Sequence, residues 1–258
     1  MSNIILIGVL ASLGAGLMTG VGAIPVLFGK TVPRRLNDMM LGFAAGVMVS
    51  ASYFSLILPG LEAAEGMYGN RVAAALIAAG GIALGAAAVA ALNELLPHEH
   101  FLAGHEGRDA EKIAKIWLFV LAITIHNFPE GLAVGVGFGG GDLENGLSLA
   151  TGIGLQNAPE GLAVAVALRG QGYSKLFAFI VALLTGLIEP FGGLLGVAAV
   201  HASAVALPWG LAFAAGAMLY IISHEIIPET HRRGFQKQAT AGLMVGLLVM
   251  LFLDISLG

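Results

Sequence analysis

His126, Asn127 and Glu130 fall together in the stretch His126-Asn127-Phe128-Pro129-Glu130-Gly131-Leu132-Ala133-Val134. Thirty residues on, Gln156-Asn157-Ala158-Pro159-Glu160-Gly161-Leu162-Ala163-Val164 repeats it with seven of nine positions identical. Each copy lies near the middle of an apolar run, where a His, an amide and a carboxylate are costly to keep. On a helix His126 and Glu130 share a face, as do Gln156 and Glu160, with Asn127 and Asn157 alongside. A short loop between the two runs makes their helices antiparallel, so the motifs meet at similar depth. His, carboxylate and amide oxygen form a borderline ligand set suited to Zn²⁺ and its first-row neighbours. The pattern points to one cation site inside a membrane. The blander reading is a pair of hydrogen-bonded packing motifs with kinking prolines.

The elements that must position these residues are all apolar helices. The chain has 258 residues, 57% of them hydrophobic and only 11% charged, with a mean hydropathy of +0.89; a soluble domain carries about 25% charged residues. There is room for roughly eight spans of ~20 residues in a single transmembrane domain. They are expected near 3–28, 38–60, 70–95, 114–138, 146–168, 175–200, 207–229 and 239–257. The first is too long, and lacks the basic leader, for a secretion signal. Pro129 and Pro159 are expected to loosen the turns before them, freeing the carbonyls of Ile125 and Leu155. The 38 glycines suit helices that pack closely. With no cysteine in the chain, a metal must be held by His, carboxylate, amide or backbone oxygen. The net charge of −4 gives no sign of a nucleic-acid partner.

Basic residues orient the spans. If the N-terminus faces outside, eleven of the twelve Lys and Arg fall on inner loops and only Arg71 outside. An even number of spans then places the C-terminus outside too. None of the twelve lies mid-span, yet Glu130, Glu160 and Glu189 do. Three unpaired mid-span carboxylates would cost on the order of 8–10 kcal/mol. The countercharge must be protons, water in a cavity or a cation from solution, and a divalent ion is the economical choice.

Other candidates flank this set. Glu189 precedes Pro190 in the sixth span. In the seventh, His224-Glu225-Ile226-Ile227-Pro228-Glu229 begins like a zinc-protease HExxH but has Pro228 where the second His belongs; His224 and Glu225 read as an inner exit or secondary metal position. In the second span Met48, Ser55 and Glu62 recur every seven residues along one stripe, with Glu62 at the outer mouth. The third connection, about 96–113, carries His98, His100 and His105, which could gather metal on the inner side.

With the paired motifs in view, the sequence resembles the ZIP family of divalent metal transporters, and more narrowly its bacterial GufA-like branch. The likeness extends through Glu189-Pro190 and the His224–Glu229 segment. It implies Zn²⁺ uptake into the cytoplasm across the cell membrane through a two-metal centre, with Cd²⁺, Fe²⁺, Mn²⁺ or Co²⁺ as further cargo. Carried over by position, His126, Glu130, Gln156 and Glu160 would hold the primary metal. Asn127, Asn157 and Glu189 would complete the adjacent one, with Glu130 and Glu160 bridging. This chain departs from many relatives in having Gln156 for His, and from close ones in having Asn157 for Asp, which removes a carboxylate from the second position. The resemblance further implies an all-α 3+2+3 arrangement with an inverted repeat. Its trace is Ser55-Leu56-Ile57-Leu58-Pro59 against His224-Glu225-Ile226-Ile227-Pro228. It also implies helices one, four, five and six sliding as an elevator against two, three, seven and eight, and pairing into a homodimer within the lipid.

Other classes fit less well. A membrane-embedded metal-dependent hydrolase needs an activated water and a general base; HExxH is missing and no Ser, Cys or paired-Asp signature replaces it. A haem-binding subunit would want paired axial ligands, and only His126 lies near a span centre. A proton-linked carrier using the same glutamates is the nearest rival.

Overall fold

Long apolar segments leave little choice of secondary structure, because inside a bilayer a single segment must satisfy its own backbone groups. The computed structural model describes residues 2–29, 33–95, 110–231 and 234–257, and these form eight helical rods. They are α1 (Ser2–Leu27), α2 (Arg34–Tyr68), α3 (Arg71–Leu95), α4 (Ala110–Gly139), α5 (Leu143–Gly170), α6 (Lys175–Ala202), α7 (Ala206–His231) and α8 (Gln236–Leu257). Seven contain stretches long and apolar enough to cross a membrane. The eighth, α5, is 28 residues long, but Gln156, Asn157 and Glu160 lower its hydropathy. His98, His100 and His105 lie outside the described residues.

Local chemistry sets the ends. Asp142 caps α5 by accepting the Asn145 N–H at 3.0 Å, and Ser174 caps α6 by accepting that of Phe177 at 3.2 Å. Gly69 takes the left-handed conformation that stops α2 (φ 61°). Asn70 Oδ1 then accepts the Val72 N–H at 2.8 Å to start α3.

Three expectations need correction. The second rod runs on to Tyr68 rather than ending near 60. Pro129 and Pro159 lie inside unbroken helices. The break comes instead in α6, at Leu187–Ile188, so Glu189 opens a second helical segment, Glu189–Ala202, rather than lying mid-helix. A carboxylate in a first helical turn meets the positive end of the peptide dipoles, which favours the break there. Two π-helical turns also interrupt the rods, Ser52–Ile57 in α2 and Ile222–Ile226 in α7. Each closely precedes a proline, Pro59 or Pro228.

Glycines sort the rods into two sets. On α2 and α8, Gly42 and Gly46 press on the carbonyls of Ala239 and Leu243, and Gly242 and Gly246 return the contact to Met39 and Phe43. On α3 and α7, Gly85 meets the Phe213 carbonyl and Gly216 that of Ile82. The remaining rods interlock likewise: Gly16 with Gly186, Gly22 with Ala158, Gly161 with Thr19, and Gly131 with Glu189. None of these positions has room for a Cβ. Every such contact stays within α1, α4, α5 and α6 or within α2, α3, α7 and α8. Where a glycine faces the other set it meets side chains: Gly140 meets Leu207, Gly152 meets Met250, and Gly210 meets Val136. Gly46→Ala should therefore destabilise the protein by about 1–3 kcal/mol, the usual cost of overpacking. A lowered thermal midpoint in detergent would show it, and an unchanged one would mean that α2 and α8 can part without penalty.

Candidate metal centre

The two motifs face each other where α4 lies against α6 and α5 against α1. His126, Asn127, Glu130, Gln156, Asn157, Glu160 and Glu189 are all buried. Gln156 Nε2 donates to Glu130 Oε1 at 2.6 Å. Asn157 Nδ2 donates to Glu189 Oε1 at 2.6 Å and to the Ala15 carbonyl at 2.9 Å. His126 Nε2 stands 2.9 Å from Glu225 Oε2, an ion-pair distance without the alignment of a hydrogen bond. The three glutamates act on one another electrostatically, and His126 acts on Glu160. Gly131 lets α4 lie directly on the Glu189 backbone, which brings the third carboxylate up to the pair.

Many buried polar atoms here have no protein hydrogen-bond partner. They include both oxygens of Glu160, one oxygen each of Glu130 and Glu189, the amide oxygens of Gln156 and Asn157, and both polar side-chain atoms of Asn127. Buried polar groups are almost always paired. A cluster of unpaired acceptors with no Lys or Arg among the described buried residues is an environment that favours a cation. Among the described residues, no three His, Asp or Glu side chains already stand at metal-ligand spacing. The amides instead hold the carboxylates through hydrogen bonds, and ligation would require these side chains to turn.

The flanking candidates scatter. Met48 is fully buried in an apolar layer with Ala51, Leu149 and Ile153. Ser55 is buried and donates to Asp254 Oδ1 at 2.6 Å, whereas Glu62 is exposed. The π turn between them breaks the seven-residue register of the expected stripe. Glu225, on the π turn of α7, reaches the centre through His126, its side chain 20% exposed. His224 is half-buried with its ring 5.1 Å from that of Tyr220. Asp254 was not anticipated. It accepts from Ser55 and, at 3.4 Å, from Ser148. Its signal was available, since it is the only acid in α8.

Three buried glutamates with no Lys or Arg among the described buried residues, within eight rods of membrane length, mark a multi-pass membrane protein. The profile of the ZIP zinc transporter family matches residues 93–254. The zinc transporter GufA of Myxococcus xanthus is 52% identical over 97% of this chain and 99% of its own. The zinc transporter ZIPB of Bordetella bronchiseptica is 48% identical over 93% of this chain and 78% of its own. The human zinc transporter ZIP11 is 36% identical over 93% and 94%. The chain belongs to the ZIP zinc transporter family, a family of transporters rather than enzymes.

Proposed function

We propose that the protein carries Zn²⁺ across the cell membrane into the cytoplasm through the centre on α4 and α5. The observation that carries this reading is the cluster of buried, unpaired carboxylate oxygens on Glu130, Glu160 and Glu189. His126, Glu130, Gln156 and Glu160 form the primary position, and Asn127, Asn157 and Glu189 adjoin it. The relatives' description as zinc transporters supports the cargo. The same ligand types admit Cd²⁺, Fe²⁺, Mn²⁺ and Co²⁺.

The bias of Lys and Arg places both termini outside. In that orientation the Met48 layer closes the outer side, and Glu225 receives the ion from His126 on the inner side. The π turns at Ser52–Ile57 and Ile222–Ile226 support an inverted repeat relating α2 to α7. The glycine contacts support alternating access by sliding: glycines interlock backbone to backbone within α1, α4, α5 and α6 and within the other four, while Gly140, Gly152 and Gly210 meet only side chains of the other set. Inverted repeats with a midplane site suit that mechanism.

The test is Zn²⁺ entry into proteoliposomes holding a trapped zinc indicator. Entry is expected with the unaltered protein and should fall to the protein-free rate with His126→Ala. An absence of entry for every divalent ion, in folded protein of either orientation, would remove the proposal.

A further inference from the structure

We infer that Asn157 holds the place a second cation would take, so that the centre binds one divalent ion per chain. This deepens the reading above and rests on it. Asn157 is fully buried, and its Nδ2 lies 2.9 Å from the Ala15 carbonyl and 2.6 Å from Glu189 Oε1. A backbone carbonyl can only accept a hydrogen bond, so the amide nitrogen, and not its oxygen, must face Ala15. Turning the amide over would set an oxygen against both a carbonyl and a carboxylate. Its two protons are therefore committed, one to each acceptor.

Gln156, the neighbouring residue in the same motif, is held differently. Its Nε2 has one partner, Glu130 Oε1 at 2.6 Å. When a cation draws that carboxylate to itself, nothing else stops the amide from turning its oxygen toward the ion. The two amides thus do different work: Gln156 is an adaptable ligand, and Asn157 is a fixed donor. A cation entering between Asn157 and Glu189 would meet a nitrogen whose protons are aimed at Glu189 and Ala15, and would have to break both bonds.

Charge points the same way. Two divalent ions against the three fully buried carboxylates of Glu130, Glu160 and Glu189 would leave an excess positive charge that only the partly exposed Glu225, beside His126, could offset. One ion leaves a surplus negative charge, and the Asn157 donor is directed at the carboxylate that would carry it. An aspartate at 157 would supply a fourth carboxylate, balance two divalent ions and remove the competing donor.

The experiment counts Cd²⁺ bound per chain on the purified full-length protein by equilibrium dialysis. The value for Glu130→Ala/Glu160→Ala is subtracted to remove ions held elsewhere. One ion is expected on the unaltered protein and two on Asn157→Asp. Two ions on the unaltered protein, or one on folded Asn157→Asp, would overturn the inference while leaving the centre in place. No ion on the unaltered protein would remove the centre and the inference together.

Discussion

Glu160→Met is expected to abolish zinc entry and, at the same time, to make the metal-free protein more stable. The two effects have one cause. Glu160 is buried with both oxygens unpartnered, and a carboxylate at mid-span costs about 2.5–3.5 kcal/mol on insertion scales. Methionine keeps the length of the side chain and removes the charge. Exchanging buried charged groups for apolar ones of similar volume is often neutral or stabilising by about 1–4 kcal/mol. The metal-bound state responds in the opposite direction. Zinc takes its ligands from Cys, His and carboxylates, and losing an outer partner of a ligand already costs about 10–100-fold in affinity. Loss of the ligand itself should cost at least ~100-fold by the same measure, and entry should fall to the protein-free rate. Thermal unfolding in detergent separates the effects. Added Zn²⁺ should raise the midpoint of the unaltered protein, because a ligand bound only to the native state stabilises it. It should leave that of Glu160→Met unmoved, at a value above the metal-free unaltered protein. A residue that only packs helices together would give the reverse, a lower midpoint with entry retained.

The paired motifs were legible in the sequence because polar residues in apolar runs need a reason to be there, and two copies thirty residues apart supply it. The eight rods were legible for the related reason that apolar length is a direct requirement of the bilayer. What escaped depends on contacts distant in sequence. The orientation of Asn157 is set by the carbonyl of Ala15, 142 residues away. The prolines offered a local argument for loosening α4 and α5 that packing overrides. Neighbouring helices hold both rods through Gly131 and Gly161, and the unwound turn moves to Glu189, where a carboxylate gains from a helix start. A proline following a helical stretch does not by itself announce a π turn, so the expected Met48–Ser55–Glu62 stripe assumed a regular helix that α2 does not keep. Asp254 is one acid near the end of a span, which in sequence is indistinguishable from an interfacial residue. The Ser55 and Ser148 hydroxyls opposite it show that it faces inward.

The division into two sets of helices leads to a result with a larger effect than any single packing change. An oxidised Val136→Cys/Gly210→Cys pair is expected to stop zinc entry, and reduction with dithiothreitol to restore it. The chain has no cysteine, so the introduced pair supplies the only thiols. A Cβ at Gly210 of α7 lies 3.8 Å from that of Val136 in α4, near the mean separation across a disulfide of about 3.8 Å. The pair joins the two sets where the Val136 side chain meets Gly210. Gly8→Cys/Val197→Cys supplies the comparison, since its Cβ positions are 3.5 Å apart and both belong to the set of α1, α4, α5 and α6. Oxidation of that pair should leave entry unchanged. A slide of one helical turn moves a rod by about 5.4 Å, whereas a disulfide holds its Cα atoms within about 4.4–6.8 Å of each other. The first bridge cannot follow such a slide; the second travels with its set. Entry that survives the oxidised Val136→Cys/Gly210→Cys bridge would mean the ion passes without relative motion of these rods. The interlocked glycines would then serve to hold the site rigid rather than to divide the protein into moving parts.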